Sequence, residues 1–258
     1  MGLFKEIYNY REMVATLVQR DLRGRYKASV LGFLWTFINP LCQLLIYTIV
    51  FSVIMTNNTP KYYLFIFVAL IPWNFCSTCL TGGSGCIIGQ QAMITKIYFP
   101  REVIPIAYVT ASFINMLYGY IVVFVVCLFS RVHFSILGLL CLPLVMLVEY
   151  CFVLGITMIF SALTVYLRDT EHILGIVSMG WMFMTPIMYS SDLVPASLMP
   201  IFKLNPMTSI SESYRDIMYY GRVPNLRALG IVALCGIAIM VFGFWFFGKL
   251  KRRFAEEL

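Results

Sequence analysis

Few residue patterns in this sequence could do chemistry, and none forms a complete catalytic set. Cys76 and Cys79 have the spacing of a redox or metal-binding pair, but no second pair and no nearby histidine accompany them. All eight cysteines lie in or at the edges of apolar segments, where packing is the simpler role. His133 and His172 fall at opposite predicted ends of a helical bundle, so neither a zinc site nor a histidine-based triad is expected. We therefore predict no catalytic residue and no bound metal.

Two further features bear on chemistry. Residues 82–85 read GGSG, but no lysine follows, so this run is interpreted as a helix end or close-packing site rather than a phosphate-binding loop. Glu149 is the one acid well inside an apolar segment, where ionisation is costly, so it should face the bundle interior or a water-filled path. Substrate contact, helix packing and simple tolerance near a span boundary all remain open for Glu149. We expect this chain to bind no cofactor.

The composition is that of an integral membrane protein. Of the 258 residues, 60% are hydrophobic and 12% are charged, whereas soluble domains usually have about 45 to 50% apolar and about 25% charged residues. A helix that crosses a bilayer needs about 20 mostly apolar residues. Six segments qualify, at residues 31–56, 62–83, 103–130, 135–166, 173–190 and 229–248. No removable signal peptide is recognised at the start.

The distribution of positive charge predicts the orientation. An even number of spans puts both termini on one side, and lysine and arginine are retained on the cytoplasmic side. Most of the 19 lysines and arginines fall on the inside when both termini are cytoplasmic. The net charge of +7 is then explained by topology, without a nucleic-acid partner.

We divide the chain into a cytoplasmic interfacial helix (residues 1–30) and a six-span domain (31–258) with a short cytoplasmic tail (249–258). The first segment has an amphipathic pattern typical of a helix in the membrane interface, although a plain basic anchor explains the charges equally well. Its apolar face holds Leu3, Ile7, Tyr10, Val14, Leu17 and Val18, and Lys5, Glu6, Arg11, Glu12, Arg20 and Arg23 lie mostly opposite.

The one long outside loop runs from residue 190 to 228 and should contain a short amphipathic helix. Asn205 and Pro206 resemble an N-cap followed by proline at the first helical position, and Gly221 supplies a stop. We predict that the helix rests on, or dips into, the outer leaflet. Its buried face would hold Met207, Ile210, Tyr214, Ile217 and Met218, with Glu212, Arg215 and Asp216 directed away.

Two compact charged loops lie on the predicted cytoplasmic side, at residues 94–105 and 165–172. Pro100 suits the first turn of the third span, and Glu102 near that terminus complements the helix dipole. Asp169 is a plausible cap for the next helix. On these patterns alone, the charges need do no more than set the topology.

Several stretches resemble a known family. Residues 20–41 read RDLRGRYKASVLGFLWTFINPL, and this run looks like the signature that precedes the first span of type-2 ATP-binding-cassette (ABC) exporter permeases, in the polysaccharide and polyol-phosphate export group. A second fairly specific match is KIYFPREVIP (96–105), while YLRD (166–169) and LNPM (204–207) are weak matches by themselves. With the length and the six-span layout, the resemblance covers essentially the whole chain.

The resemblance implies a homodimer in the bacterial cytoplasmic (inner) membrane, joined by two copies of a separate ATPase that binds ATP and Mg. The complex would move a lipid-linked glycan outward, such as O antigen, capsule or teichoic acid. The N-terminal helix and both charged loops would contact the ATPase. The coupling residues implied in the loops are Lys96, Tyr98, Pro100, Arg101, Glu102, Arg168, Asp169 and Glu171.

Aromatic side chains are candidates for the substrate path because they stack on the apolar faces of sugars. For any single aromatic residue, packing or lipid contact is the competing interpretation. The candidates, with Glu149, are Trp35, Phe37, Tyr47, Phe51, Trp73, Trp181 and Tyr189. Two other functions stay open: a permease for a drug or small molecule, and a membrane-embedded enzyme that depends on Glu149 or His172.

Overall fold

The computed structural model describes residues 3–24, 30–50 and 60–257, and the side chains of residues 3, 4, 255 and 256 lie outside that description. Over these residues the chain is helical and contains no β-strand, which confirms the all-α class. In chain order the α-helices are α1 (Leu3–Asn9), α2 (Arg11–Gly24), α3 (Trp35–Tyr47), α4 (Tyr62–Thr81), α5 (Gln91–Ile94), α6 (Val103–Phe129), α7 (Ile136–Tyr166), α8 (Thr170–Phe183), α9 (Met199–Leu204), α10 (Pro206–Met218), α11 (Leu226–Leu250) and α12 (Phe254–Glu257).

Within residues 3–24, 30–50 and 60–257, five helical segments are long and apolar enough to cross a membrane. They correspond to the first four predicted spans and the last one. Residues 51–56 of the first predicted span lie outside the described residues. The five segments are Gly32–Val50, Tyr62–Thr81, Val103–Phe129, Ile136–Tyr166 and Leu226–Arg253.

The fifth predicted span, residues 173–190, is not a continuous helix. Helix α8 has 14 residues and is therefore about 21 Å long, whereas the hydrocarbon core of a bilayer is about 30 Å thick. The reason is Pro186, which has no N–H to donate and disfavours helical geometry at the residue before it. Beyond Phe183 the chain continues as turns.

Helix α8 and the turns that follow it (residues 184–189) run beside α4. The Ser77 and Ser178 hydroxyls are 2.7 Å apart, and the rings of Trp73 and Trp181 lie 5.9 Å apart, centroid to centroid. At the start of α4, the Tyr62 hydroxyl donates to the carbonyl of Met188. Because pairs occur at both ends of α4, α8 and the turns after it follow α4 in the opposite direction over most of its length.

Helix α4 lies at the centre of the bundle, with most of its residues buried. Helices α7 and α11 pack backbone to backbone at two glycines. A methyl group added to Gly155 would lie 2.6 Å from the Met240 nitrogen, and one added to Gly243 would lie 2.5 Å from the Gly155 oxygen. Small residues allow this approach between membrane helices, so substitutions here would separate α7 from α11.

The N-terminal segment forms two helices, α1 and α2, rather than one. Helix α2 packs against α6 and buries Leu17 and Val18, while Arg20 and Arg23 remain exposed. The predicted apolar face is thus, in part, a packing face against the bundle.

Candidate functional site

The predicted coupling residues separate into an exposed group and a buried group. In the loop between α4 and α6 (residues 82–102), Lys96 is exposed and Tyr98 is 91% exposed. The exposed residues of the second loop and the start of α8 are Arg168, Asp169 and Glu171. Pro100 and Glu102 are buried, and Arg101 is half-buried. Only the exposed group presents its side chains to a partner.

Glu102 and Arg101 both bind the end of α11. The fully buried Glu102 accepts a 2.5 Å hydrogen bond from the Lys251 ammonium, and the Arg101 guanidinium donates to the Lys251 carbonyl. Arg101 also lies 5.8 Å from the ring centroid of Phe254. These two charges therefore have a structural use inside the chain, and direct contact with an ATPase stays a prediction for them.

Gly85, in the segment between α4 and α6, lies beside Glu171 at the start of α8. A methyl group added to Gly85 would lie 3.1 Å from a carboxylate oxygen of Glu171. The segment that carries Lys96 and Tyr98 therefore contacts the start of α8, which directly follows the loop that carries Arg168. Asp169 precedes α8, as predicted, but its side chain makes no capping hydrogen bond, so its predicted capping role is wrong.

At the other end of the bundle, Asn205 joins three elements. Its side-chain oxygen accepts from the Met207 amide at 3.1 Å, which confirms the predicted N-cap of α10. The same oxygen accepts from the Trp181 indole at 2.9 Å. Its amide nitrogen donates to the Met184 carbonyl at 3.2 Å and to the Thr185 hydroxyl at 2.9 Å. Asn205 thereby fixes the start of α10 to the end of α8.

Helix α10 is buried inside the bundle, against α4, α7 and α11, rather than resting on its surface. The stop at Gly221 is also present, with φ +65° and a backbone so close to the His133 carbonyl that a side chain would collide with it. The predicted apolar face is confirmed, since Met207, Ile210, Tyr214, Ile217 and Met218 are all at most 1% exposed.

The prediction that Arg215 points away from the buried face is wrong, because Arg215 is only 3% exposed. Its Nε donates to the Phe65 carbonyl at 3.1 Å, and its two terminal nitrogens donate to the carbonyls of Pro186 and Ile187. The guanidinium also lies 3.7 Å from the centroid of the Phe65 ring.

The position of Arg215 has a physical reason. Backbone carbonyls in a non-helical segment at membrane depth need donors from elsewhere in the protein. Arginine supplies several donors in a fixed plane. Arg215 uses two of them to bind the carbonyls of Pro186 and Ile187, shortly after the end of α8. The sequence signal for a buried donor was Pro186 inside a predicted span. A proline there interrupts the helix and leaves backbone carbonyls without their usual N–H donors.

Glu149 faces the bundle interior, as predicted. It is fully buried and accepts a 2.6 Å hydrogen bond from the Tyr214 hydroxyl. The Tyr214 ring stacks on Tyr120 at 5.0 Å, and the Tyr120 hydroxyl donates to the Val68 carbonyl at 3.0 Å. Glu149 thus connects α7 to α10 and acts in packing. Contact between Glu149 and a substrate stays a prediction.

The aromatic path candidates do not form one cluster. Trp73 and Trp181 are in contact at the α4–α8 boundary. Trp35 lines a cavity between α3, α4 and α6, and Tyr189 donates back to the Phe183 carbonyl at 2.5 Å. Phe37 packs on Phe33 and Tyr118, Tyr47 is half-buried, and Phe51 lies outside the described residues.

Among the described residues, no group of three or more histidine, cysteine, aspartate or glutamate side chains is placed to hold a metal ion. The side chains of Cys76 and Cys79 are buried. Several polar groups inside the bundle instead make hydrogen bonds between helices, such as Tyr214 with Glu149 and Ser77 with Ser178. In the part of the chain that the structure describes, five apolar segments of membrane length and the short buried helix α10 define a polytopic helical membrane protein.

The chain belongs to the ABC-2 type transporter family, whose model matches residues 12–219. It is 34% identical to the O-antigen export system permease protein RfbA of Myxococcus xanthus, over 99% of each chain. RfbA of Klebsiella pneumoniae is 32% identical, over 96% of this chain and 95% of that protein. The polysialic acid transport protein KpsM of Escherichia coli is 24% identical, over 89% of this chain and 90% of that protein. The family resemblance seen in the sequence motifs is thereby confirmed.

Proposed function

We propose that this chain is the membrane subunit of an ATP-driven exporter that moves a lipid-linked polysaccharide across the bacterial cytoplasmic membrane. The observation that carries the proposal is end-to-end similarity to permeases named for O-antigen export. A similar length and coverage in the polysialic acid transporter supports a carbohydrate polymer as the substrate class. A drug or other small molecule has no comparable support.

ATP and Mg would bind to a separate ATPase, because the sequence holds no phosphate-binding loop. As the family resemblance implies, two copies of that ATPase would join a dimer of this chain. The surface offered to that ATPase is formed by the exposed side chains of Lys96, Tyr98, Arg168, Asp169 and Glu171. This surface, and with it both termini, would face the cytoplasm.

The ion pair between Glu102 and Lys251 lies next to that surface in the chain and provides a route by which ATPase movement would be transmitted to the helices. A displacement of Lys96 and Tyr98 would be transmitted to Arg101 and Glu102, which lie only a few residues further along the chain. The side chains of Arg101 and Glu102 both bind Lys251, at the end of α11. Glu102 also directly precedes α6. The loop would therefore move α6 and α11 together rather than bend alone.

Depletion of the chain in its host tests the substrate class. We expect lipid-linked glycan to accumulate on the cytoplasmic leaflet while surface glycan falls, and we expect the wild-type chain to restore export. Gentle purification of the tagged chain should also recover a stoichiometric protein with a phosphate-binding loop and ATPase activity. Unchanged surface glycan with altered drug tolerance would contradict the polysaccharide proposal.

A further inference from the structure

A cavity of about 350 Å³ lies between α3, α4 and α6, and its described lining carries no charged residue. Carboxamides from all three helices line it: Asn39 and Gln43 from α3, Asn74 from α4 and Asn115 from α6. Asn115 is more than three turns from either end of α6, and Asn74 is about two turns from the C-terminal end of α4. A group of neutral amides therefore lines an open space between these three helices, with Asn39 exposed and the other three amide residues half-buried.

The amides do more than join helices. Polar residues that hold membrane helices together normally bond across a closed interface, as Asn74 does when it donates to the Gln43 oxygen at 3.2 Å. Here the space stays open, and one water occupies only about 30 Å³ in the liquid. Thr36 lines the same cavity at 3% exposure, and its hydroxyl has no hydrogen-bond partner in the described part of the chain. A buried hydroxyl without a partner is costly, so the wall has unmet capacity for a polar ligand.

The lining also limits the chemistry of that ligand. A phosphate would need a positive charge or a group of backbone donors, and none of the described lining side chains is charged. Carboxamides both donate and accept hydrogen bonds, as hydroxyl groups do. Trp35 and Phe75 add aromatic surface to the wall, which suits the apolar face of a sugar ring.

The cavity adjoins the region where two path candidates meet. Ser77 lines the cavity, and its hydroxyl is 2.7 Å from that of Ser178 on α8. Asn74 follows Trp73, whose ring contacts Trp181. From this position and lining, we infer that the cavity is a binding subsite for one neutral, hydroxyl-rich sugar ring of the exported glycan. The inference rests on the proposed export function and adds a site to it.

Photocrosslinking in the living host tests the position of the sugar. p-Benzoylphenylalanine replaces Thr78, which lines the cavity, and in a matched chain it replaces Leu45, which is on the exposed face of α3. After illumination, the purified chain is treated with periodate and a hydrazide dye, which together label the diols of the host's own glycan. We expect glycan label on the chain modified at position 78 and only background label on the chain modified at position 45, because the crosslinker reacts only with groups in contact with it.

A double substitution tests the amides by a second route. Gln43→Leu with Asn74→Leu removes both partners of one hydrogen bond, so no amide is left unpaired by the change. At limiting glycan supply we expect export to slow about fivefold or more, because the sugar loses one or two hydrogen bonds. Leu41→Met with Leu45→Met, on the exposed face of the same helix, is the control. Yield of the assembled complex and its melting temperature in detergent should match wild type in both chains, which separates a lost sugar contact from a folding defect.

Preferential glycan labelling at position 78, together with slowed export in the amide variant alone, supports the subsite. Equal labelling at positions 78 and 45, or normal export by the amide variant, overturns the subsite while wild-type export still upholds the proposed function. If the wild-type chain supports no glycan export at all, the proposed function fails, and the subsite fails with it.

Discussion

Lys251 donates a 2.5 Å hydrogen bond to Glu102, which lies 149 positions earlier in the chain. Lys251 directly follows α11 and Glu102 directly precedes α6. The Glu102 side chain is fully buried, while that of Lys251 is 29% exposed. A residue pair that the sequence places far apart therefore fastens the predicted coupling loop to the last helix of the bundle.

Loss of Lys251 should destabilise the protein more than loss of both partners. Lys251→Met leaves the Glu102 carboxylate buried without its charge partner, and we expect the free energy of unfolding to fall by about 3 kcal/mol. Glu102→Gln combined with Lys251→Met should restore at least half of that loss. Thermal unfolding in detergent measures both values, and equal destabilisation by the single and double variants would contradict the internal ion pair.

Changes on the exposed part of the loops should affect the partner and not the fold. Charge reversal by Lys96→Glu with Arg168→Glu alters two exposed side chains, and surface changes usually shift stability by less than about 0.5 kcal/mol. We expect the ATPase to be lost from the purified complex at an unchanged melting temperature. Arg131→Glu, an exposed residue between α6 and α7, is the matched control. Normal ATPase recovery with the loop variant would remove these residues from the docking surface.

Arg215 should tolerate no substitution. Arg215→Met leaves the carbonyls of Pro186 and Ile187 without their donors, and each buried unsatisfied group costs about 1 to 3 kcal/mol. Arg215→Lys keeps the charge but loses the planar fork, so it should rescue only partly. Arg222→Lys, in an exposed ion pair with Asp216, should change stability by less than about 1 kcal/mol. Melting temperatures in detergent compare the three, and a stable Arg215→Met protein would refute the donor role.

Glu149 should be replaceable by its amide. Glu149→Gln keeps an oxygen that accepts from the Tyr214 hydroxyl, so we expect export to remain within about twofold of wild type, consistent with a conserved neutral hydrogen bond. Glu149→Leu leaves that hydroxyl buried without its acceptor and should lower the yield of folded protein. A well-folded Glu149→Gln chain with no activity would favour the membrane-enzyme alternative.

The orientation can be read from two introduced cysteines in a cysteine-free chain. Val223→Cys lies in an exposed turn before α11, and Lys96→Cys lies in the loop between α4 and α6. A membrane-impermeant maleimide should label position 223 in intact cells and position 96 only after permeabilisation. The reverse pattern would place both termini outside.

Much of the architecture was predictable from local patterns. Long apolar runs predicted five of the membrane-length segments, because the cost of unpaired backbone in lipid leaves helices as the simplest solution. The cap at Asn205 and the apolar face of α10 were also predicted, since both depend on residues within a few positions of each other. Pro186 was visible in the fifth apolar run, but hydropathy alone still favoured a continuous span.

The sequence by itself determined the membrane class, the helices and their apolar faces, because hydropathy and periodicity act over a few turns of chain. Only the tertiary structure decided what the charged residues do. Glu102 and Arg215 carry charges that a local pattern assigns to an exposed surface, yet both are buried, where Lys251 and the carbonyls of Pro186 and Ile187 satisfy them. Those partners come from distant segments, and no local pattern specifies which segments will meet.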